Sequence, residues 1–347
     1  MSASAMTRKE RVRRSLFYES IDHLPTQTNY TTVFSQAISD YFGVSLSQLP
    51  EYLGNHILRV DINHEMQLSD DDNIRFDWWG VGFDSREEGY FPAVSPLAEI
   101  KDLDHYAWPD PYAPGLLQKA GEIQAAKGAE YFIIPNLGFA LFERAWALRG
   151  FEQFFIDMAT DPSYAALLLD RITEIQLVLI NRYLDLGVHG GYFGDDYGAQ
   201  KNMLFAPQMW RSLIKSRLAR LFKPFKERGL PIIMHSDGQI QQILPDLLDI
   251  GLTTLNPVQP EVLDHVWLRD QYGGRLSFFG GISTQTMLPH GTEDQVKNAV
   301  SLAVKMLAPN GTGLVIAPSH RLMSDTPLKN ITALLEAFRQ LRNQPDS

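Results

Sequence analysis

The nine residues "IIMHSDGQI", Ile232 to Ile240, decide how the chain is read. An apolar run stops at a histidine, and a serine, an aspartate and a glycine follow. A short apolar run bounded by turn residues has the length and composition of a buried strand. Residues i and i+2 of a strand face the same side, so His235 and Asp237 can converge on one ligand just past its end. An imidazole nitrogen beside a carboxylate oxygen suits zinc or a harder divalent ion. Either the pair caps a loop, or the strand delivers chemistry to a site.

The same pattern recurs in both directions. Strands are expected near Leu24–Asn29, Ile57–Ile62, Tyr131–Asn136, Gly191–Asp195, Ile232–His235, Thr253–Asn256, Leu276–Gly280 and Gly313–Ala317. Between most of them lie helical patterns. "SYAALLLDRITEIQLVLINRYLDLG" repeats apolar residues every three or four positions and stops at Gly187, a glycine suited to a helix C-terminus. "APQMWRSLIKSRLARLFKPFKERG" does the same and ends at Gly229, and Pro327 suits the first turn of the last helix. Strands alternating with helices imply an α/β fold, a single (β/α)8 TIM barrel over residues 1–347. A doubly wound sheet is the competitor, but no G-x-G-x-x-G follows an early strand. Residues 63–127 hold no βα repeat; their aromatics ("FDWWGVGF", "YAWPDPY") suggest a lid or hairpin inserted over one end.

Composition narrows the function. The 347 residues carry a formal net charge of −10, which argues against a nucleic-acid partner, since phosphate backbones are met by basic surfaces. The acidic run Ser69–Asn73 reads as a solvated loop rather than a cation site. There is no cysteine, so disulfides, thiolate ligands and a cysteine nucleophile are excluded. No apolar run approaches the roughly 18 residues of a membrane span, and the basic N-terminus lacks the apolar stretch of a secretory signal. A cytoplasmic protein is expected. Thr7 and Glu10 have capping-box spacing, marking a helix start.

In such barrels the active site lies at the C-terminal ends of the strands. Polar residues gather at nearly every one: Asp61, Asn63 and His64; Asn136, then Glu143 and Arg144; Asp195, Asp196 and Tyr197; His235 and Asp237; Asn256; Ser319 and His320. His235, Asp237, Asp196 and Glu143 are the candidate catalytic groups, with His235, Asp237 and His320 a candidate metal set. Asp61, Asn63, Asn136, Asp195, Tyr197, Asn256, Ser319 and His320 are the candidates for substrate binding. Each has a plainer reading: "GDDYG" as a turn, Glu143–Arg144 as an ion pair, His320 as a loop hydrogen bond.

The segments "IIMHSDGQIQQILPDLLDIGLTTLNPVQP", "FFGGISTQTMLP", "LFERAWALRGFEQFF" and "GLVIAPSHRLMSDTPLKNI" resemble the uroporphyrinogen decarboxylase superfamily. They are most similar to its branch of corrinoid-linked methyltransferases and O-demethylase-like proteins. The resemblance implies a barrel and two chemistries. True uroporphyrinogen decarboxylases carry an arginine-rich N-terminal loop for the substrate's carboxylates, whereas "DHLPTQTNYTT" has no arginine. The methyltransferase branch usually has H-x-C-G, with zinc on the His and Cys; here Asp237 takes the cysteine's place in "HSDG". The resemblance therefore implies methyl transfer from a small methylated donor, methoxyaromatic compounds included. No D-x-H-x-x-G for corrinoid binding is present, so the corrinoid (cobalamin) would sit on a separate protein docked at the barrel mouth. A decarboxylase acting on a smaller carboxylated substrate is the alternative, and a non-catalytic barrel that binds a small molecule or a corrinoid protein is a third. Trp78, Trp79, Phe83, Phe193 and Tyr197 are candidate walls for an aromatic substrate.

Overall fold

The computed structural model describes residues 6–69, 73–86, 91–100 and 102–342; residues 70–72 of the acidic run lie outside this range. Eleven strands occur among them: β1 Ile57–Val60, β2 Gln67–Leu68, β3 Ile74–Phe76, β4 Gly82–Asp84, β5 Pro92–Val94, β6 Phe132–Leu137, β7 Gly191–Gly194, β8 Ile232–His235, β9 Thr254–Asn256, β10 Ser277–Ile282 and β11 Leu314–Pro318. Seven pair in the order β1-β6-β7-β8-β9-β10-β11, every pair parallel. Helices connect them on the outside, as the alternating pattern requires. The curled sheet encloses its own core: Ile57, Phe132, Ile134, Tyr192, Ile233, Phe279, Val315 and Ala317 form one buried cluster. Val12 and Leu16 join it from the helix Arg8–Leu16, which plugs the end where the strands begin. Thr7 caps that helix by accepting from Glu10 N at 3.2 Å. The full capping box does not form, because the Glu10 carboxylate turns to Arg13 and Arg14.

The first expected strand, Leu24–Asn29, is not a regular strand. Pro25 has no N–H to give a ladder, and the segment makes only isolated bridges with β11 and the residues after it, at Thr26–Ile316 and Tyr30–Leu322. It nonetheless closes the barrel. Toward β1 two carboxamide side chains replace most of the ladder. Gln27 accepts from Ile57 N at 3.0 Å and donates to Ile57 O at 3.2 Å. Asn55 accepts from Thr28 N at 2.7 Å and donates to Thr28 O at 3.0 Å. A primary amide offers the same donor and acceptor as a peptide group, so each stands in for one.

The insert after β1 contains a four-stranded antiparallel sheet, β2-β3-β4-β5. Arg144 holds it to the barrel by an ion pair with Asp77 at 2.6 Å, rather than pairing with the adjacent Glu143. The helix Pro162–Asp185 buries Leu168, Leu169, Ile172, Gln176, Leu179, Ile180 and Tyr183, the spacing of a single stripe, and Asp161 caps it. Among the described residues no helix is long and apolar enough to cross a membrane.

Candidate functional site

A cavity of about 620 Å³ opens where the strands end, between the barrel and the insert. His235 enters it from the last position of β8, still on the inward face that Ile233 begins. Its Nδ1 lies 2.7 Å from Asn256 Oδ1, while Asn256 Nδ2 donates to Phe279 O at 2.8 Å and Tyr192 donates to the same Oδ1 at 3.1 Å. The carbonyl fixes which way the Asn256 amide points, so His235 must carry its proton on Nδ1. In the neutral imidazole this leaves the Nε2 lone pair facing the cavity. An outer partner that fixes the tautomer in this way is the usual support of a ligating or catalytic histidine.

Around Nε2 stand Asp196 Oδ1 at 3.9 Å and Asp237 Oδ1 at 3.8 Å, and Asp237 Oδ2 lies 3.9 Å from His320 Nε2. Two loops lace together to place them. Asp237 N donates to Asp196 Oδ1 at 2.7 Å, Tyr197 N to Ser236 Oγ at 3.0 Å and Gln239 N to Ala199 O at 2.8 Å. The loops cross at Gly198 and Gly238, whose backbones nearly touch: a Cβ on Gly238, at φ +76°, would meet Gly198 C at 2.5 Å. That contact explains the glycine of "HSDG" and the second one of "GDDYG".

Asp195 does not reach the cavity. It is fully buried and accepts from Phe142 N at 2.9 Å, Glu143 N at 2.7 Å and Tyr197 Oη at 2.7 Å, so it anchors the start of the helix Phe142–Arg149. Glu143 is thereby set at the cavity wall, with its carboxyl facing the cavity rather than bulk water. Burial, and then the negative charges of Asp196 and Asp195, push its pKa well above the ordinary carboxylate range. Asp196 is also raised, again mainly by burial, with His235 opposing the shift. Of the two, Glu143 is raised the further. His320 is pushed down to about 4 by burial, so it is neutral and its lone pair is available at ordinary pH.

Asp61, Asn136, Asn256, Ser319 and His320 line the cavity with His235, Glu143 and Asp196. Asp61 accepts from Asn136 Nδ2 at 2.8 Å. Three expected substrate contacts are corrected. Asp195 and Tyr197 are buried behind the wall, Tyr197 among Phe142, Phe205 and Trp210. Asn63 is not a lining residue, and its N–H is tied to Leu116 O. Trp78, Trp79 and Phe83 do line the cavity; Phe193 points outward to Phe222 and Phe225, because it alternates with the inward Tyr192. Sequence reading passed over Arg59, Tyr192 and Arg321, all in the wall. For Arg59 the signal was present: a charge inside an apolar strand, two positions before Asp61.

A uroporphyrinogen decarboxylase (URO-D) family model matches residues 76–341. The chain belongs to the uroporphyrinogen decarboxylase family. It is 24% identical over 238 residues to a methylated-thiol–coenzyme M methyltransferase of Methanosarcina mazei, a match that covers 67% of this chain. That match spans only 61% of the relative's length. A solved methyltransferase structure from the same organism superposes with a TM-score of 0.72 at 20% identity, covering 96% of this chain and 99% of that one. That likeness supports the barrel fold.

Within this URO-D barrel, His235, Asp237 and His320 offer ligand atoms that all lie within 4.8 Å of one another. Two ligands on one zinc at about 2.1 Å stand at most about 4.2 Å apart. The 3.8 and 3.9 Å pairs, made through the two different oxygens of Asp237, lie within that limit. Nitrogen and oxygen donors of this kind fit a divalent ion, and without thiolate they hold zinc less tightly. Asp237→Cys is accordingly expected to tighten zinc binding by at least about tenfold. Chelator competition and elemental analysis of both proteins measure it. Zinc at background in both would show that the cluster is a hydrogen-bonding set and no metal site.

Proposed function

We propose that this protein is a methyltransferase that takes a methyl group from a small methylated donor, such as a methoxyaromatic compound, and passes it to a corrinoid on a separate protein. The observation that carries the reading is one cavity wall on which His235, oriented by Asn256, stands with Glu143, a carboxyl group whose pKa is raised by burial and by the neighbouring Asp196 and Asp195 charges. A methyl ether or methylamine is a poor electrophile because its heteroatom must leave with an electron pair. A positioned acid lowers that barrier by protonating the heteroatom as the bond to the methyl carbon breaks. Glu143 is the donor of that proton, and Asp196 and His235 stand beside it on the same wall, where they shape the field around the leaving heteroatom. His235, Asp237 and His320 are the residues for a divalent ion, which when bound supplies Lewis acidity at the same atom. The corrinoid supplies the nucleophile that accepts the methyl group. Trp78, Trp79, Phe83, Phe139 and Trp146 give the cavity an aromatic lining suited to an aromatic donor. The 24% identity to a protein named for methyl transfer supports this reading over decarboxylation, as does the missing arginine loop.

The test is incubation of the purified protein with cob(I)alamin and a panel of methoxylated aromatics and methylamines. Methylcobalamin is expected to form with at least one donor. The rate should fall as pH rises through the elevated pKa of Glu143, because the ionised carboxylate has no proton to give. Absence of methylcobalamin with every donor would favour a binding barrel, and coproporphyrinogen formed from uroporphyrinogen would favour decarboxylation.

A further inference from the structure

The cavity has a second polar wall that the methyl-transfer chemistry does not use. Arg59 projects into it from β1, and its guanidinium carbon lies 3.7 Å from the centre of the Tyr192 ring. Among the described residues no carboxylate comes within ion-pair distance of Arg59. Arg321 lines the same cavity, just after β11, and Arg75 reaches it from β3 with a buried Nε that has no hydrogen-bond partner among the described residues. Arg144 also lines the cavity and pairs with Asp77. Of the carboxylates named above, Asp61 stands nearer Arg59 but outside ion-pair distance and accepts from Asn136 Nδ2, while Glu143, Asp196 and Asp237 gather about His235.

An arginine keeps its charge in proteins, and a charge withdrawn from water is costly unless a counter-charge meets it. An aromatic face offsets part of that cost. Burial above all, and then the neighbouring Arg321, disfavour the charge of Arg59, and the opposing pull of Tyr192 and Asp61 does not make up for them, so an incoming anion is more valuable there. A planar guanidinium matches a carboxylate fork to fork. Resting on the methyl-transfer reading, we propose that the donor carries a carboxylate, which Arg59 binds with Arg321 beside it while the methylated end lies against His235 and Glu143. Tyr192 links the two ends. Its ring is 3.7 Å from the Arg59 guanidinium and its centre 6.3 Å from that of His235, and the two spacings together cap the separation of cation and imidazole at about 10 Å. A benzene ring substituted para to a carboxylate bridges such a span. The specificity this gives is for a methylated acid over the matching neutral amide.

Calorimetric binding of 4-methoxybenzoate and 4-methoxybenzamide tests this without any methyl transfer. The wild type is expected to bind the acid at least about tenfold more tightly than the amide, the order of one charge-assisted contact. Arg59→Gln should erase that preference and leave amide binding within about twofold, while Arg59→Lys should keep part of it. If Arg59 only packs on Tyr192, Arg59→Gln will lower thermal stability and leave the acid preference intact, and the proposal fails. Equal affinities in the wild type, or binding of neither compound, overturn it as well, and these two outcomes need no variant to fold. Tight acid binding without methylcobalamin formation would instead count against the methyl-transfer reading alone.

Discussion

His235→Ala is expected to slow methyl transfer at least about a hundredfold, the low end for losing an acid–base group or an electrostatic contact to the leaving atom. The variant removes the one imidazole whose Nε2 faces the cavity with its tautomer fixed by Asn256. It also strips Asp196 and Asp237 of the group between them. The fold should survive, because His235 ends its strand and the barrel core lies below it at Ile233 and Tyr192. Single-turnover rates, with a melting curve beside them, give the answer. A folded His235→Ala protein that works at the wild-type rate would remove the centre of the site.

The second large effect falls on stability. Gly238→Ala is expected to cost about 3 kcal/mol, the sum of a left-handed backbone forced on alanine and an overpacked contact. The added methyl would meet Gly198 C at 2.5 Å and Gly198 O at 2.6 Å, backbone atoms that cannot swing aside. Gly43→Ala is the control. Its φ is +65°, yet nothing lies within 4 Å of the added Cβ, so it should cost only about 1 kcal/mol. Denaturant titration of the two variants separates backbone strain from collision. If Gly238→Ala were as mild as Gly43→Ala, the crossing of the two loops would not be tight enough to fix Asp237 against Asp196.

The parallel barrel was legible because its strands are buried on both faces and so appear as short apolar runs, and the i, i+2 rule brought His235 and Asp237 to one place. Glu143, Asp196 and His320 were found for the same reason, as polar residues at the outlet of a strand. What sequence could not show is the direction of a side chain once regular structure stops. Asp195 and Asp196 are neighbours in "GDDYG", yet one caps a helix from within and the other faces the cavity. Arg59 was overlooked because only the ends of strands were searched for polar groups, and it stands two positions before Asp61. The Leu24–Asn29 segment misled in the opposite sense, since its closure runs through Gln27 and Asn55 side chains, which follow no periodicity.

That closure has a mechanical consequence. From β1 round to β11, neighbouring strands are riveted by peptide groups, which have no rotamers to change. Between the Leu24–Asn29 segment and β1 the stitching is largely by Gln27 and Asn55 amides, whose torsions can. The cylinder therefore has one compliant seam, and regions with fewest backbone bonds are the first to yield. The seam leads to Asn29, Thr31, Thr32 and Val33 at the rim of the cavity. His235, Asn256 and Asp196 lie at the ends of the riveted staves β7, β8 and β9. Any dilation of the aperture to admit a donor is thus borne by the seam, and the reacting groups keep their spacing while it happens.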